Sequence, residues 1–251
     1  MGKFFVKTNQ IEENKINILN DDVNHIKNVL RLNVLDNIEI CNKDTGENYN
    51  CKISNILNNR IECNIINKID STTEGNVKID VYQGLPKFDK MELIIQKGTE
   101  LGVTNFIPVK FNRCIVKIDK KDENKKIDRW QKIAEVASKQ SGRDFVPNVK
   151  KVIGINEICD IINKYDIVFL AYELENNNFI KNELSKLKGT KKQYNIAIII
   201  GPEGGLEERE VKILETSGAK VVSLGKRILR TETASMQMVS IIMYELEDIN
   251  T

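Results

Sequence analysis

From Met1 to about Ile69 the apolar residues come in short runs, FFV, NILN, NIEIC, NYNCKISNI and RIECNIINKI, separated by Asn, Asp and Gly turns such as Lys43 to Glu47. Short alternating runs bounded by turn residues predict strands, and strands at this spacing predict a small β-barrel over residues 1–70. One brief helical piece around Asp21 to Leu30 interrupts them. Asp21 or Asp22 is placed to cap it, and it carries His25, Val29, Leu30 and Arg31. The polar stretch Ser71 to Asn76, STTEGN, reads as a hinge before a second domain over 77–251.

Beyond the hinge the period changes. VKIDVYQGL is an alternating strand, and Pro86 opens a helix whose Met91, Ile94, Ile95 and Leu101 share one face and which Gly102 closes. Phe106 to Val109 is the next strand. The charge run Lys117 to Lys126 reads as a solvated turn into a helix from Ile127 to Gln140, with Trp130 turned inward. Asn156 caps a helix to about Lys164, Tyr165 to Leu170 is a buried strand, and Asn178 to Leu187 is a helix. Then come a strand at Ile196 to Ile200, a helix from Leu206 to Ser217 with Glu207, Glu208 and Glu210 near its positive end, and a strand at Lys220 to Leu224. Strands alternating with helices predict an α/β domain with a mainly parallel sheet covered on both faces. Spacing alone leads to an ordinary doubly wound sheet.

The last helix, Glu232 to Asp248, is apolar on nearly every side, with Met236, Met238, Val239, Ile241, Ile242, Met243, Tyr244 and Leu246. Such a helix needs cover all round. A partner subunit is the simplest second cover, and burial within one subunit is the alternative.

Composition changes little. With 38 Lys and Arg against 36 Asp and Glu, a net charge of +2 neither demands nor excludes a nucleic-acid partner. The five Cys form no CxxC and only one His is present, so free thiols in a reduced cytosol, and no metal, are expected. The start MGKFFVKTNQ has no apolar core segment, and no run is long enough to span a bilayer, so neither export nor membrane insertion is expected.

Candidate chemistry gathers after the last two strands. Gly201, Pro202, Glu203, Gly204 and Gly205 form one loop, and Gly225 to Thr231 a second. Loops at the carboxyl ends of neighbouring strands are the usual ligand crevice of an α/β unit. The first loop lacks the Lys and Ser/Thr of a phosphate cradle and holds Glu203 with Glu207 and Glu208 behind it, so it repels a phosphate tail. A cofactor with a cationic centre, an amino group and an adenine is tolerated there. An ordinary strand-to-helix turn is the plain alternative.

GPEGG followed by LGKRILRTETA resembles the SPOUT class of S-adenosylmethionine-dependent RNA methyltransferases, and within it the RsmE family, which methylates N3 of a uridine in 16S ribosomal RNA. HIKNVLRL, QKGTELGV and KQSGRDFVP extend the resemblance over most of the chain. It implies a PUA-like barrel followed by a sheet with a C-terminal trefoil knot, and a homodimer built on the last helix. The cofactor is then S-adenosyl-L-methionine, and the RNA partner is 16S ribosomal RNA or the assembled small subunit. Loops around Ala171 to Glu173, Ile200 to Gly205 and Leu224 to Ala234, Gly225 and Thr233 included, would hold the cofactor, with Ile199, Ile200, Leu224, Ile228 and Leu229 as apolar walls and Glu203 orienting it. Arg230 is the candidate for stabilising charge on the uracil oxygens. Glu232 either accepts the N3 proton or merely caps its helix. His25, Arg31, Arg113, Arg143, Lys226 and Arg227 are the candidate RNA contacts; His25 as a surface or capping histidine remains the alternative. A SPOUT ribose 2′-O-methyltransferase and a non-catalytic RNA-binding protein are the competing readings. Two departures from the family pattern, Gly98 and the LEERE start of the helix after GPEGG, bear on helix stability.

Overall fold

The computed structural model describes residues 3–70, 73–190 and 193–246. Residues 71 and 72 of the hinge and Asp248 of the last helix lie outside the described residues. The chain divides into two compact units, one drawn from residues up to Glu74 with Ser138–Val146, the other from Gly75–Ala137 and from Pro147 onward. The ranges read from the sequence, 1–70 and 77–251, lack this return of Ser138–Val146 to the first unit.

In the first unit, β1 (Lys3–Val6), β2 (Ile11–Glu12), β3 (Lys15–Leu19), β4 (Asn37–Asn42), β5 (Asn48–Ile56) and β6 (Arg60–Ile69) form one sheet in the order β1-β4-β5-β6-β3-β2. Only β1 and β4 pair in parallel. Alternation sets the faces: in β3 Ile16 and Ile18 are buried while Lys15 and Leu19 face water. They join Phe4, Ile40, Ile53 and Ile61 in one core. Between β3 and β4, α1 (Asp21–Asn24) continues as a π-type turn over His25–Val29. Neither aspartate caps it. Both lie inside its first turn, and Asp22 instead accepts a hydrogen bond from Lys139 Nζ at 2.6 Å. The returning segment is held by buried polar contacts: Asp144 N–H donates to Thr73 Oγ1 at 2.8 Å, Cys41 Sγ to Asp144 O at 3.1 Å, and Lys3 pairs with the Asp144 carboxylate. Burial pushes the Cys41, Cys51 and Cys63 thiols up to about 12, so they are inert core groups.

The second unit contains β7 (Val77–Gly84), α2 (Lys90–Glu100), β8 (Asn105–Val109), α3 (Lys120–Ser141, whose residues from Ser138 fall in the first unit), β9 (Asn148–Val149), α4 (Ile155–Ile161) and β10 (Ile167–Ala171). It continues through α5 (Ile180–Leu187), β11 (Tyr194–Ile200), α6 (Glu208–Thr216), β12 (Lys220–Val222) and α7 (Thr231–Leu246). All six strands are parallel, in the order β12-β10-β11-β7-β8-β9. On one face of β11, Ala197 and Ile199 pack into the core under α4 and α6, together with Ile158, Val168, Leu170 and Leu214. No helix among the described residues is long and apolar enough to cross a membrane.

Helix boundaries depart from the sequence pattern where side chains recruit backbone groups. The helix after Pro86 begins only at Lys90, because Pro86–Asp89 forms a turn with Phe88 at φ 56. The charge run is helical from Lys120, with Asp122 and Glu123 in the first turn of α3. Gly154, not Asn156, precedes α4, and Glu157 reaches back to its N–H at 2.7 Å. Glu207 and Glu210 form a capping box at α6, and Glu210 also accepts the Asn112 N–H at 2.8 Å. Gly98 has a packing reason: a Cβ there would lie 2.7 Å from the Phe106 ring.

Within one chain α7 is covered on one face. Ser235, Met238, Val239, Ile242 and Leu246 are buried, whereas Met236, Ile241 and Met243 are half-buried and Tyr244 is 75% exposed.

Candidate active site

Parallel register brings three strand ends to one edge of the sheet. Ala171 of β10 pairs with Ile200 of β11 and Val222 of β12, and Ile200 pairs with Gln83 of β7. The loops that follow therefore leave the sheet side by side, the arrangement expected of a crevice at strand carboxyl ends.

Backbone contacts set the first loop. Gly205 adopts φ 67 and donates its N–H to Pro202 O at 2.9 Å; a Cβ there would collide with the Glu173 carboxylate. On the other side the loop lies so close to β7 that a Cβ on Gly84 would stand 2.6 Å from Pro202 N. Gln83 Nε2 donates to Thr231 Oγ1 at 2.8 Å, and that hydroxyl donates to Gly201 O at 2.6 Å. This relay ties β7, the first loop and the start of α7 together. The loop after β10 is joined to the end of β12, from which the second loop departs, by Ser223 N–H to Asn178 O at 2.8 Å and by Asn178 Nδ2 to Val221 O at 3.0 Å.

Together these loops enclose a cleft of about 460 Å³, within the range of small-molecule sites. Of the residues singled out from the sequence, Ala171, Glu173, Ile200, Gly201, Glu203, Gly205, Leu224, Gly225, Lys226, Arg227, Ile228, Leu229, Arg230 and Ala234 line it. Four do not. Ile199 faces the other side of β11 and packs in the core, because successive strand residues alternate faces. Gly204 turns outward, its carbonyl accepting Arg113 Nη1 at 3.1 Å. Thr233 is exposed, on a different side of α7 from Thr231 and Ala234, which are three residues apart and share the cleft face. Glu232 meets the cleft through Lys90.

Lys90 and Gln83, neither singled out from the sequence, carry the geometry together with Thr231 of the second loop. Lys90 Nζ lies 3.0 Å from Glu203 Oε1 and 3.4 Å from Glu232 Oε2, so one ammonium joins the first loop to the first turn of α7. The contact to Glu232 is ionic without hydrogen-bond alignment, since Oε2 is buried and receives no hydrogen bond. Glu203 also accepts the Lys87 N–H at 3.0 Å. Burial works to raise the Glu203 pKa, but the hydrogen bonds from Lys90 and Lys87 outweigh it and hold the carboxyl below its ordinary value. The hydrogen bond to Glu203 in turn raises Lys90. A Gln near the end of β7, at a position where the strand's alternation calls for an apolar residue, was the one available signal for Gln83; a helix-start lysine offers none.

The candidate RNA contacts are not gathered together. Arg113 is exposed and latches the first loop. Lys226 and Arg227 are exposed at the cleft. In the first unit His25 and Arg31 are exposed, with His25 edge-on to Phe4. Arg143 is not an exposed clamp. It is 5% exposed, its Nη2 and Nε donate to the two Glu74 carboxylate oxygens at 2.6 and 3.0 Å, and it lies over Phe145.

Comparison with known proteins agrees with this geometry. Residues 73–243 match the model of an RNA methyltransferase domain, and 18–66 that of an RNA methyltransferase PUA domain. The chain is 38% identical to the ribosomal RNA small subunit methyltransferase E of Bacillus subtilis, over 98% of each chain. It is 29% identical to that of Mesomycoplasma hyopneumoniae, over 94% of this chain and 96% of the other. The crystal structure of the Neisseria gonorrhoeae ribosomal RNA small subunit methyltransferase E bound to S-adenosyl methionine superposes with a TM-score of 0.86, covering 100% of both chains at 29% identity. A parallel sheet whose strand-end loops close one carboxylate-bearing cleft, preceded by a PUA domain and matched along nearly its whole length, places this chain in the ribosomal RNA small subunit methyltransferase E family.

Proposed function

We propose that this protein methylates N3 of a uridine in 16S ribosomal RNA, with S-adenosyl-L-methionine as methyl donor. The observation that carries the reading is the single cleft shared by three loops, with Glu173 and Glu203 on its wall beside Ile200, Leu224 and Leu229. Carboxylates suit a sulfonium and an ammonium, apolar walls suit an adenine, and the bare Gly205 lets the Glu173 carboxylate reach the cleft wall where a Cβ would collide with it. These residues would hold the donor, which when bound supplies an electrophilic methyl group.

Uridine N3 carries a proton at neutral pH and becomes nucleophilic only when that proton leaves. The site therefore has to position the base and stabilise charge on its oxygens. Arg230, exposed at the cleft, offers a permanently charged donor fork for those oxygens. Glu232, whose carboxylate lies 3.4 Å from the cleft-lining Lys90 Nζ, is the nearest carboxylate of α7 to take the N3 proton, by way of that ammonium. Lys226 and Arg227 hold the RNA backbone at the cleft, and His25 and Arg31 do so on the PUA unit. A trefoil knot belongs to the same reading, supported by the insertion of β11 between β10 and β7. So does a homodimer through the open face of α7, where Ile241 and Tyr244 line a groove with Ile180 of α5; a single-chain mass in sedimentation equilibrium would remove it. A cytoplasmic location follows from a ribosomal substrate.

Nucleoside mass spectrometry of small-subunit RNA from a strain lacking the protein tests the reaction. A missing N3-methyluridine, restored by the protein and seen as a stop in primer extension, is expected. A missing ribose methyl would replace it with 2′-O-methylation, and an unchanged nucleoside profile would leave only RNA binding.

Lys90→Met gives a pH-dependent result. Without the ammonium, burial acts on Glu203 with less opposition, its pKa rises, and it protonates at a higher pH during acidification. Donor affinity is thus expected to fall away at a higher pH in the variant than in the unaltered protein, and Lys90→Arg to restore the normal profile. Calorimetric titrations across pH measure this; superimposable profiles would remove Glu203 from donor binding.

A further inference from the structure

Phe88 presents its ring to water while its backbone is strained. It is 90% exposed, more than any other large hydrophobic side chain described, and its φ of 56 belongs to a region that bulky residues leave to glycine. Strain of this kind persists where surrounding contacts enforce it, and it concentrates at ligand-handling sites.

The turn that carries Phe88 is firmly anchored. Pro86 before it is buried, and Asp89 O accepts the N–H groups of Glu92 and Leu93 at 2.9 and 3.2 Å. Glu203 takes the Lys87 N–H and the Lys90 ammonium on one oxygen, both at 3.0 Å. The backbone that carries the ring is therefore fixed two residues from Lys90, which lines the cleft, and one residue from a backbone group bonded to the cleft carboxylate. Cations flank it in sequence at Lys87 and Lys90, and Lys226, Arg227 and Arg230 line the same cleft.

An exposed aromatic ring on an anchored turn near cations matches an unpaired stretch of nucleic acid, whose bases offer flat faces and whose phosphates offer negative charge. A base that enters a cleft must first leave its stack, and its neighbour then loses a stacking partner. We propose that Phe88 is a stacking platform for an unpaired RNA base adjoining the one taken into the cleft. This rests on the methyltransferase reading above and extends it to how the substrate is gripped. Every base has a π face, so the platform contributes affinity without reading sequence.

Phe88→Gly removes the ring and suits the backbone, so a folded variant with an undiminished melting temperature is expected. Its kcat/KM for unmethylated small-subunit ribosomal RNA should fall about tenfold, the loss of one stacked base, with donor affinity by calorimetry unchanged. Phe88→Trp should keep kcat/KM within about twofold, and its new indole should be quenched when RNA is added. The platform is overturned by an unaltered kcat/KM in Phe88→Gly, by Phe88→Trp failing equally, or by a parallel loss of donor affinity. Indole quenching reads RNA contact without turnover. Failure of the unaltered protein to methylate the RNA would therefore sink the functional reading, whereas an unquenched indole sinks the platform.

Discussion

Arg230→Ala should bind S-adenosylmethionine about as well as the unaltered protein yet lose about a hundredfold or more in turnover, the scale of removing one donor aimed at developing charge. Arg230 lines the cleft and remains exposed, at the end of the second loop and immediately before α7. Its carbonyl accepts the Ala234 N–H at 2.8 Å, so the backbone at this point is set by the helix start and survives loss of the side chain. Removing a cation from a pocket for a cationic donor gives no electrostatic reason for weaker donor binding. What disappears is the fixed donor fork, and Arg230→Lys, which keeps charge but not the fork, should recover only part of the rate. Single-turnover kinetics at saturating donor and RNA isolate the chemical step. Full turnover in Arg230→Ala, or a loss of donor affinity that accounts for the defect, would remove Arg230 from the role assigned to it.

Gly84→Ala should affect fold and site together. The new Cβ would meet Pro202 N at 2.6 Å, Pro202 Cδ at 2.7 Å and the Gly201 carbonyl carbon at 2.9 Å. These are chain and ring atoms of a loop that is itself held to α7 by the Gln83–Thr231–Gly201 relay, so no flexible side chain can swing aside. Overpacking of this kind costs about 2 kcal/mol, which lowers the melting temperature by roughly 4–8 °C for a chain of this size. The displaced loop also carries Glu203, so donor affinity should fall about tenfold with it, an energy of about 1.4 kcal/mol. Thermal unfolding and calorimetry on the same preparation measure both. An unchanged melting temperature would mean the approach of β7 to the first loop is looser than described.

Much of the architecture was legible because it follows from local periodicity. The runs in β4, β5 and β6 and the β-branched run of β11 were visible as strands, and GPEGG and LGKRILR were visible as loops. The errors lie where a distant group captures a backbone end. Lys90 begins α2 late because Glu203, far along the chain, takes the Lys87 N–H, and Gly154 starts α4 because Glu157 folds back on it. Ile199 was grouped with Ile200 as a cleft wall although the period of two sends their side chains to opposite faces; which face becomes the cleft depends on where the neighbouring strands end.

Arg143 and Lys90 mark the limit of sequence reading most clearly. Both are cations beside polar neighbours, and nothing in their local sequence distinguishes a buried pairing from an exposed contact. By itself the sequence determined the elements, their alternation, and the residue types of the two glycine loops, since those depend on neighbours within a few positions. Tertiary structure alone decided that Arg143 is buried against Glu74, that one lysine joins a loop carboxylate to one at the start of α7, and that Gly84 has to lack a side chain. Each of these is a contact between residues tens to more than a hundred positions apart, and its energy depends on burial and on distances that no local pattern encodes.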